Sequence, residues 1–155
     1  MKRYGIDVSK WQGEIDWNAV KQAGVEFAMI RSSFGNSDVD PRFTENAARA
    51  RESGIPCGAY HYCYAKSAEE AKREADFFLR TVSGQQLDYP LALDLEDSSL
   101  APLGKEALTE IAVSFLTAVQ DAGYYAILYA NLNWLNNLLN RERLAAFDVW
   151  LAQWA

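Results

Sequence analysis

Gly24, Gly54 and Gly84 stand thirty residues apart, each just past a stretch with helical character, and Gly123 repeats the role further on. Glycine in that position takes the left-handed conformation that terminates a helix. An apolar, strand-like segment precedes each of these helical stretches. A strand followed by a helix, iterated at this length, leaves little choice of architecture. Successive strands that are separated by helices run parallel, because the crossover brings the chain back to the starting end. The chain is therefore expected to be α/β with a parallel sheet, either doubly wound or closed into a barrel.

The segments can be placed individually. Strands are expected over 3–9, 25–33, 57–64, 89–96, 124–131 and 147–154, which makes six. Asp16 is placed to cap a short helix that stops at Gly24. Asp40 followed by Pro41 reads as a second helix start, with proline at the first helical position and an end at Gly54. Ser67 and Glu70 fit a capping box opening a helix through Arg80. Leu108, Ile111, Ala112, Phe115, Leu116 and Val119 recur at helical spacing before Gly123. No low-complexity stretch or linker divides the 155 residues, so residues 1–155 form a single domain.

The net charge of −6 lacks the basic footprint of a nucleic-acid binder. No apolar run is long enough to span a membrane, and Met1 leads almost directly into a strand with no signal peptide in view. The expectation is synthesis in the cytoplasm, or secretion with a leader already removed. Cys57 and Cys63 share one apolar segment. On a single strand they would lie roughly 20 Å apart, whereas a disulfide needs Cα atoms within about 7 Å. Both are expected to be free, buried thiols. With one histidine beside them, a zinc site is not expected.

Chemistry concentrates in "LALDLEDS", residues 91–98, where an apolar run ends in acids. Asp94 and Glu96 are two residues apart and so share a face of the strand. They stand at its C-terminal end, where βα barrels carry their catalytic groups. Asp7 ends the first strand in the same way. If the sheet curls, the three acids converge, and like charges in poor solvent raise the pKa of at least one. A carboxylic acid still protonated near neutral pH is what glycosidic bond cleavage requires. Acids at strand ends also serve as helix caps, and for Asp97 and Ser98 capping is the better reading.

Tyr62, Tyr129 and Trp150 fall near strand C-termini. There they can stack on the flat faces of sugar rings, or pack in the core. His61 has the opposite parity to Tyr62 and reads as a hydrogen-bonded core residue rather than a base. Arg31 suits either a neutralising partner for the acids or a plain structural ion pair.

"GIDVSKWQG" (5–13), "GAYHY" (58–62), "LALDLE" (91–96), "ILYAN" (127–131) and "VWLAQW" (149–154) occur in the order seen in glycoside hydrolase family 25. The chain resembles this family, the Chalaropsis-type lysozymes, which include many phage endolysins. The resemblance implies a TIM-like β/α barrel with irregular later strands. It also implies N-acetylmuramidase activity, which is hydrolysis of the β-1,4 bond between N-acetylmuramic acid and N-acetylglucosamine in bacterial peptidoglycan. No cofactor or metal is implied. Residue by residue, Glu96 matches the family's general acid, Asp94 its partner carboxylate and Asp7 the acid of the first strand. Tyr62, Tyr129 and Trp150 match aromatic cleft positions. Members of the family continue past the "WLAQW" strand, and a βα barrel of the common type takes roughly 250 residues. The barrel is thus expected to be incomplete and to lack its last strands. Its open sheet edges favour self-association.

Two other readings use the same residues. A glycan-binding module would keep the cleft without turnover. A metal-dependent hydrolase would use Asp7, Asp94 and Glu96 as oxygen ligands for Mg²⁺ or Ca²⁺; it ranks last, since the resemblance implies a metal-free mechanism.

Overall fold

The computed structural model describes residues 3–152. Seven strands form one sheet: β1 (Gly5–Val8), β2 (Phe27–Phe34), β3 (Asp38–Val39), β4 (Cys57–Tyr62), β5 (Leu91–Asp94), β6 (Ala126–Asn131) and β7 (Asp148–Ala152). Four helices connect them: α1 (Trp17–Gln22), α2 (Phe43–Glu52), α3 (Ala68–Val82) and α4 (Lys105–Asp121). Six strands are parallel, in the order β1-β2-β4-β5-β6-β7, while the short β3 pairs antiparallel with β2. The order never reverses. A doubly wound sheet would reverse at a switch point, so the crossovers here pass on one side and the sheet curls as a half-barrel. Among the described residues β1 and β7 remain unpaired with each other.

Helix ends follow the local chemistry. Asp16 accepts the Ala19 amide at 3.1 Å and opens α1. Gly24, Gly54 and Gly123 follow the ends of α1, α2 and α4 with φ of 90°, 79° and 95°, the left-handed termination expected of them. Gly84 serves the turn after α3 in the same conformation. The Ser67 hydroxyl accepts the Glu70 amide as predicted, but the Glu70 carboxylate reaches back to the Lys66 amide rather than to Ser67. The second helix differs from expectation. It begins at Phe43 rather than at Pro41, because Asp40 is held elsewhere. One of its oxygens accepts the Arg42 amide, while the other takes the Arg31 guanidinium and the Lys10 amide.

Most strands lose one or two residues at one or both ends of the expected apolar runs, while β2 runs one residue further, to Phe34. The last predicted strand, 147–154, is seen as Asp148–Ala152, and its final two residues lie outside the described ones. Parallel pairing sets residues side by side in rows. Ile30, Ala59, Leu91 and Ala126 make one such row, and His61, Leu93 and Leu128 another. These rows face α3 and α4, where Phe78 and Phe115 stack at 5.7 Å and His61 lies within 5.6 Å of both rings. They belong to the main apolar core, with Leu108, Ile111, Ala112 and Leu116 of α4. On the concave side Met29 fills the space over Gly58. A Cβ on Gly58 would stand 2.3 Å from the Pro90 carbonyl oxygen and 2.6 Å from the Met29 sulfur. Only glycine permits that approach.

Cys57 and Cys63 are free and buried, as their spacing on one strand requires. No helix among the described residues is long and apolar enough to cross a membrane.

Candidate active site

Pairing across the C-terminal ends of the strands assembles the site. Tyr62 of β4 is in register with Asp94 of β5, Asp94 with Tyr129 of β6, and Tyr129 with Trp150 of β7. Residues in register in a parallel sheet point to the same side, so one row carries an acid between aromatics. Leu95 extends the β5–β6 pairing by one bond, its amide to the Tyr129 carbonyl at 3.1 Å, and it is itself buried. The alternation therefore persists and Glu96 emerges on the same side as Asp94. Together with Asp7 from the end of β1 and Arg31 from β2, these residues line a cleft of about 270 Å³. All six residues picked from the sequence, Asp7, Asp94, Glu96, Tyr62, Tyr129 and Trp150, meet there. So does Arg31, whose ion pair is with Asp40 at 2.9 Å.

The cleft has three further walls that the sequence reading did not name. Tyr60 lies two residues before Tyr62 on the same face. Period-two counting along β4 could have found it. Ser9 and Trp11 come from a short turn, Lys10–Gln12, that follows β1. The turn is closed by a capping box in which Ser9 Oγ accepts the Trp11 amide and Gln12 Oε1 accepts the Ser9 amide. Trp11 projects into solvent at the rim, 76% exposed. The edge-on Tyr129–Trp150 pair, with centroids 4.6 Å apart, forms the opposite wall.

The electrostatics are those of crowded acids. Asp94 is buried, and its Oδ1 has no hydrogen-bond donor within reach. A bare carboxylate in that place is costly. Its carboxyl is accordingly held far above the usual carboxylate range, first by burial, then by a hydrogen bond with Glu96 and by the negative charges of Glu96 and Asp7, while Arg31 pulls the other way. The two carboxyls act on one another, so the raised value belongs to the site rather than to Asp94 in isolation. Asp7 sits at the open side, yet enough protein surrounds it that burial, and next the charge of Glu96, raise its pKa. The hydroxyls of Tyr60, Tyr62 and Tyr129 are all raised, chiefly by burial and then by neighbouring acids. They stay protonated and remain donors. The Tyr62 hydroxyl donates a hydrogen bond to Asp97 Oδ1 at 3.0 Å, and Asp97 also caps the Ser98–Leu103 turn, as expected of it.

His61 lies on the far side of the sheet. A register shift between Arg31 and Ser33 sets Ser33 opposite His61. Glu74 of α3 accepts from Nε2 at 2.8 Å, which leaves Nδ1 to accept the Ser33 hydroxyl at 2.7 Å. Burial lowers the His61 pKa more than Glu74 raises it. It is a neutral, satisfied core residue with no path to the cleft. A larger groove, about 830 Å³, runs between α1 and α2 past Glu14, Asp16 and Glu45. It lies between helices, away from the strand ends where Asp7, Asp94 and Glu96 meet, so size does not mark the site. Among the described residues no three His, Cys, Asp or Glu side chains converge closely enough to hold a metal ion. The three-ligand reading of Asp7, Asp94 and Glu96 has no such geometry behind it.

Known proteins are similar to this chain in sequence and fold. The chain is 32% identical to lysozyme M1 of Streptomyces globisporus, over 97% of its own length and 54% of the relative's. It thus spans about half the length of that relative. The bacterial lysozyme from Streptomyces coelicolor superposes on all of it with a TM-score of 0.87 and 30% identity, 76% of that structure being covered. The modular Cpl-1 endolysin, solved with a peptidoglycan analogue, superposes with a TM-score of 0.82 at 27% identity, with 45% of its length covered. The sequence pattern of Glycosyl hydrolases family 25 matches residues 6–155, and with its acids at the strand ends of a curled parallel sheet the chain belongs to that family.

Proposed function

We propose that this chain hydrolyses the glycosidic bond of bacterial peptidoglycan between N-acetylmuramic acid and N-acetylglucosamine, acting at the cell wall. The carrying observation is the convergence of Asp7, Asp94 and Glu96 in an aromatic-walled cleft, where burial and crowding hold the Asp94 carboxyl above its usual range. Glycosidic cleavage needs a proton for the leaving oxygen and negative charge near the anomeric carbon, where positive charge develops. Glu96 is only half-buried and reaches the cleft beyond the end of β5, so it is the proton donor. Asp94, deeper and flanked by Tyr62 and Tyr129, holds the remaining negative charge of the pair against the sugar. Asp7 faces them from β1. Trp11 and the Tyr129–Trp150 pair supply flat walls for pyranose rings. The lysozyme relatives, and the endolysin solved with a peptidoglycan analogue, support this reading.

We further infer that the open edges of β1 and β7 let two copies associate. The function is tested by incubating the chain with purified cell walls and counting new reducing ends. Borohydride should convert the muramic acid at those ends to muramitol. Binding to walls with no release of reducing ends would refute hydrolysis.

A further inference from the structure

Asp40 does not itself line the cleft, yet two segments that build the cleft, the turn after β1 and strand β2, meet on it. Its carboxylate is 1% exposed. Oδ2 accepts the Arg31 Nε proton and the Lys10 amide, both at 2.9 Å, and Oδ1 accepts the Arg42 amide at 2.8 Å. Its own amide donates to the Ser32 carbonyl at 2.9 Å. The Lys10 bond fixes the turn that carries Trp11 and Ser9. The Arg31 bond fixes the one cationic side chain among the residues that line the cleft. Arg31 also lies over the Phe34 ring at 4.5 Å. Its Nη2 is buried with no acceptor. The guanidinium is therefore only partly satisfied, and Asp40 is its sole carboxylate partner among the described residues.

We propose that Asp40 is a positioning residue that sets the charge balance of the active site: by pinning and partly neutralising Arg31, it fixes how much positive charge faces Asp94 and Glu96 across the cleft. The groups around the pair are few. Asp7 faces it from β1, Arg31 from β2, the Tyr60 and Tyr62 hydroxyls from β4, and Tyr129 from β6; β7 adds only the uncharged Trp150. Asp97 follows on the pair's own segment and is engaged by Tyr62. The tyrosines stay neutral. The balance is then set by Asp7 on one side and by whatever part of the Arg31 charge Asp40 leaves free. An opposite charge in close contact moves a carboxyl by about 1–3 units, and a more distant, half-compensated one by less.

This inference deepens the proposed function and rests on it only in taking the pair's proton as the one used in catalysis. The test is therefore read first without substrate. Carboxyl-labelled aspartate and glutamate, followed by carbon NMR against pH, report titration of the Asp94–Glu96 pair. Asp40→Asn frees the full charge of Arg31 and should lower that titration by about half a unit to one unit, roughly three- to tenfold in proton affinity. Arg31→Gln removes the charge and should raise it by a similar amount. The double variant, with a neutral hydrogen-bonded pair, should return close to the wild-type value. The alkaline limb of the hydrolysis profile should move in step.

Two folded single variants that leave the titration unmoved, or move it the same way, would overturn the proposal. If Asp40→Asn does not fold, Arg31→Gln and the double variant decide: no upward shift in the first, or an unreversed one in the second, overturns it. A wild-type chain that releases no reducing ends would refute the proposed hydrolysis and leave the titration result standing.

Discussion

A buried carboxyl at the end of a strand is a thermodynamic burden, and Asp94 shows what it does to the protein. Its folded-state pKa lies above that of the unfolded chain. Above about pH 4 the unfolded chain releases this proton and the folded one does not, so stability is lost with rising pH until the folded-state pKa is passed. Asp94→Asn cannot titrate. It should match the wild type in stability below about pH 4 and exceed it increasingly through neutral pH, at a ceiling of about 1.4 kcal/mol per pH unit. Urea unfolding at a series of pH values checks this. A constant difference at all pH values would mean that the carboxyl is not strained by burial. The same residue was legible in the sequence because an acid two residues from another, closing an apolar run, has few quiet explanations. Tyr62, Tyr129 and Trp150 were legible by their place at strand ends. Asp40 was not. It read as a cap, which it is in part, but its bonds to Arg31 and Lys10 join positions nine and thirty residues away. Local pattern carries no trace of such a partnership.

At the scale of elements, what could be read was whatever depends on periodicity and termination. The helices and the six parallel strands follow from apolar spacing and from glycine at helix ends. The register shift in β2 that turns Ser33 onto His61 arises only on pairing with β4. Likewise, the two-residue β3 has no run of its own to announce it. Gly58 also escaped notice, since its necessity lies in the approach of β5: Pro90 leaves no room for a Cβ. Gly58→Ala should force β4 and β5 apart. Overpacking of this kind costs about 1–3 kcal/mol, seen as a lower urea midpoint at unchanged slope. Because Tyr62 and Asp94 are in register across that junction, the variant should also lose hydrolytic activity at temperatures where it remains folded. Full activity would separate the junction from the site. On the other face, Glu74→Leu would leave His61 Nε2 and the Tyr64 amide without their acceptor. Orphaned buried donors of this type cost about 1–3 kcal/mol each, and thermal unfolding measures the loss.

For the whole molecule, the unreversed strand order decides between the two architectures that the repeat allowed, and the parallel orientation of the six strands places their C-terminal ends on one rim. Among the described residues the sheet is open, with β1 and β7 as edges. Beside β7 lies an apolar groove formed by Leu132, Leu135, Leu144, Phe147, Val149 and Leu151, and Leu132 and Val149 are exposed. Unpaired edges next to apolar surface favour pairing between chains. Sedimentation should show a weight-average mass that rises with concentration; a monomer at every concentration would contradict this. On the proposed mechanism Glu96 delivers the proton to the leaving oxygen, and Glu96→Gln tests this most directly. Glutamine keeps the shape and a hydrogen-bond donor but delivers no proton. Release of reducing ends from cell walls by this variant, measured beside its melting temperature, should fall by about 10²–10⁴-fold with the melting temperature unchanged or raised. Near-normal hydrolysis by a normally folded Glu96→Gln chain would contradict the account.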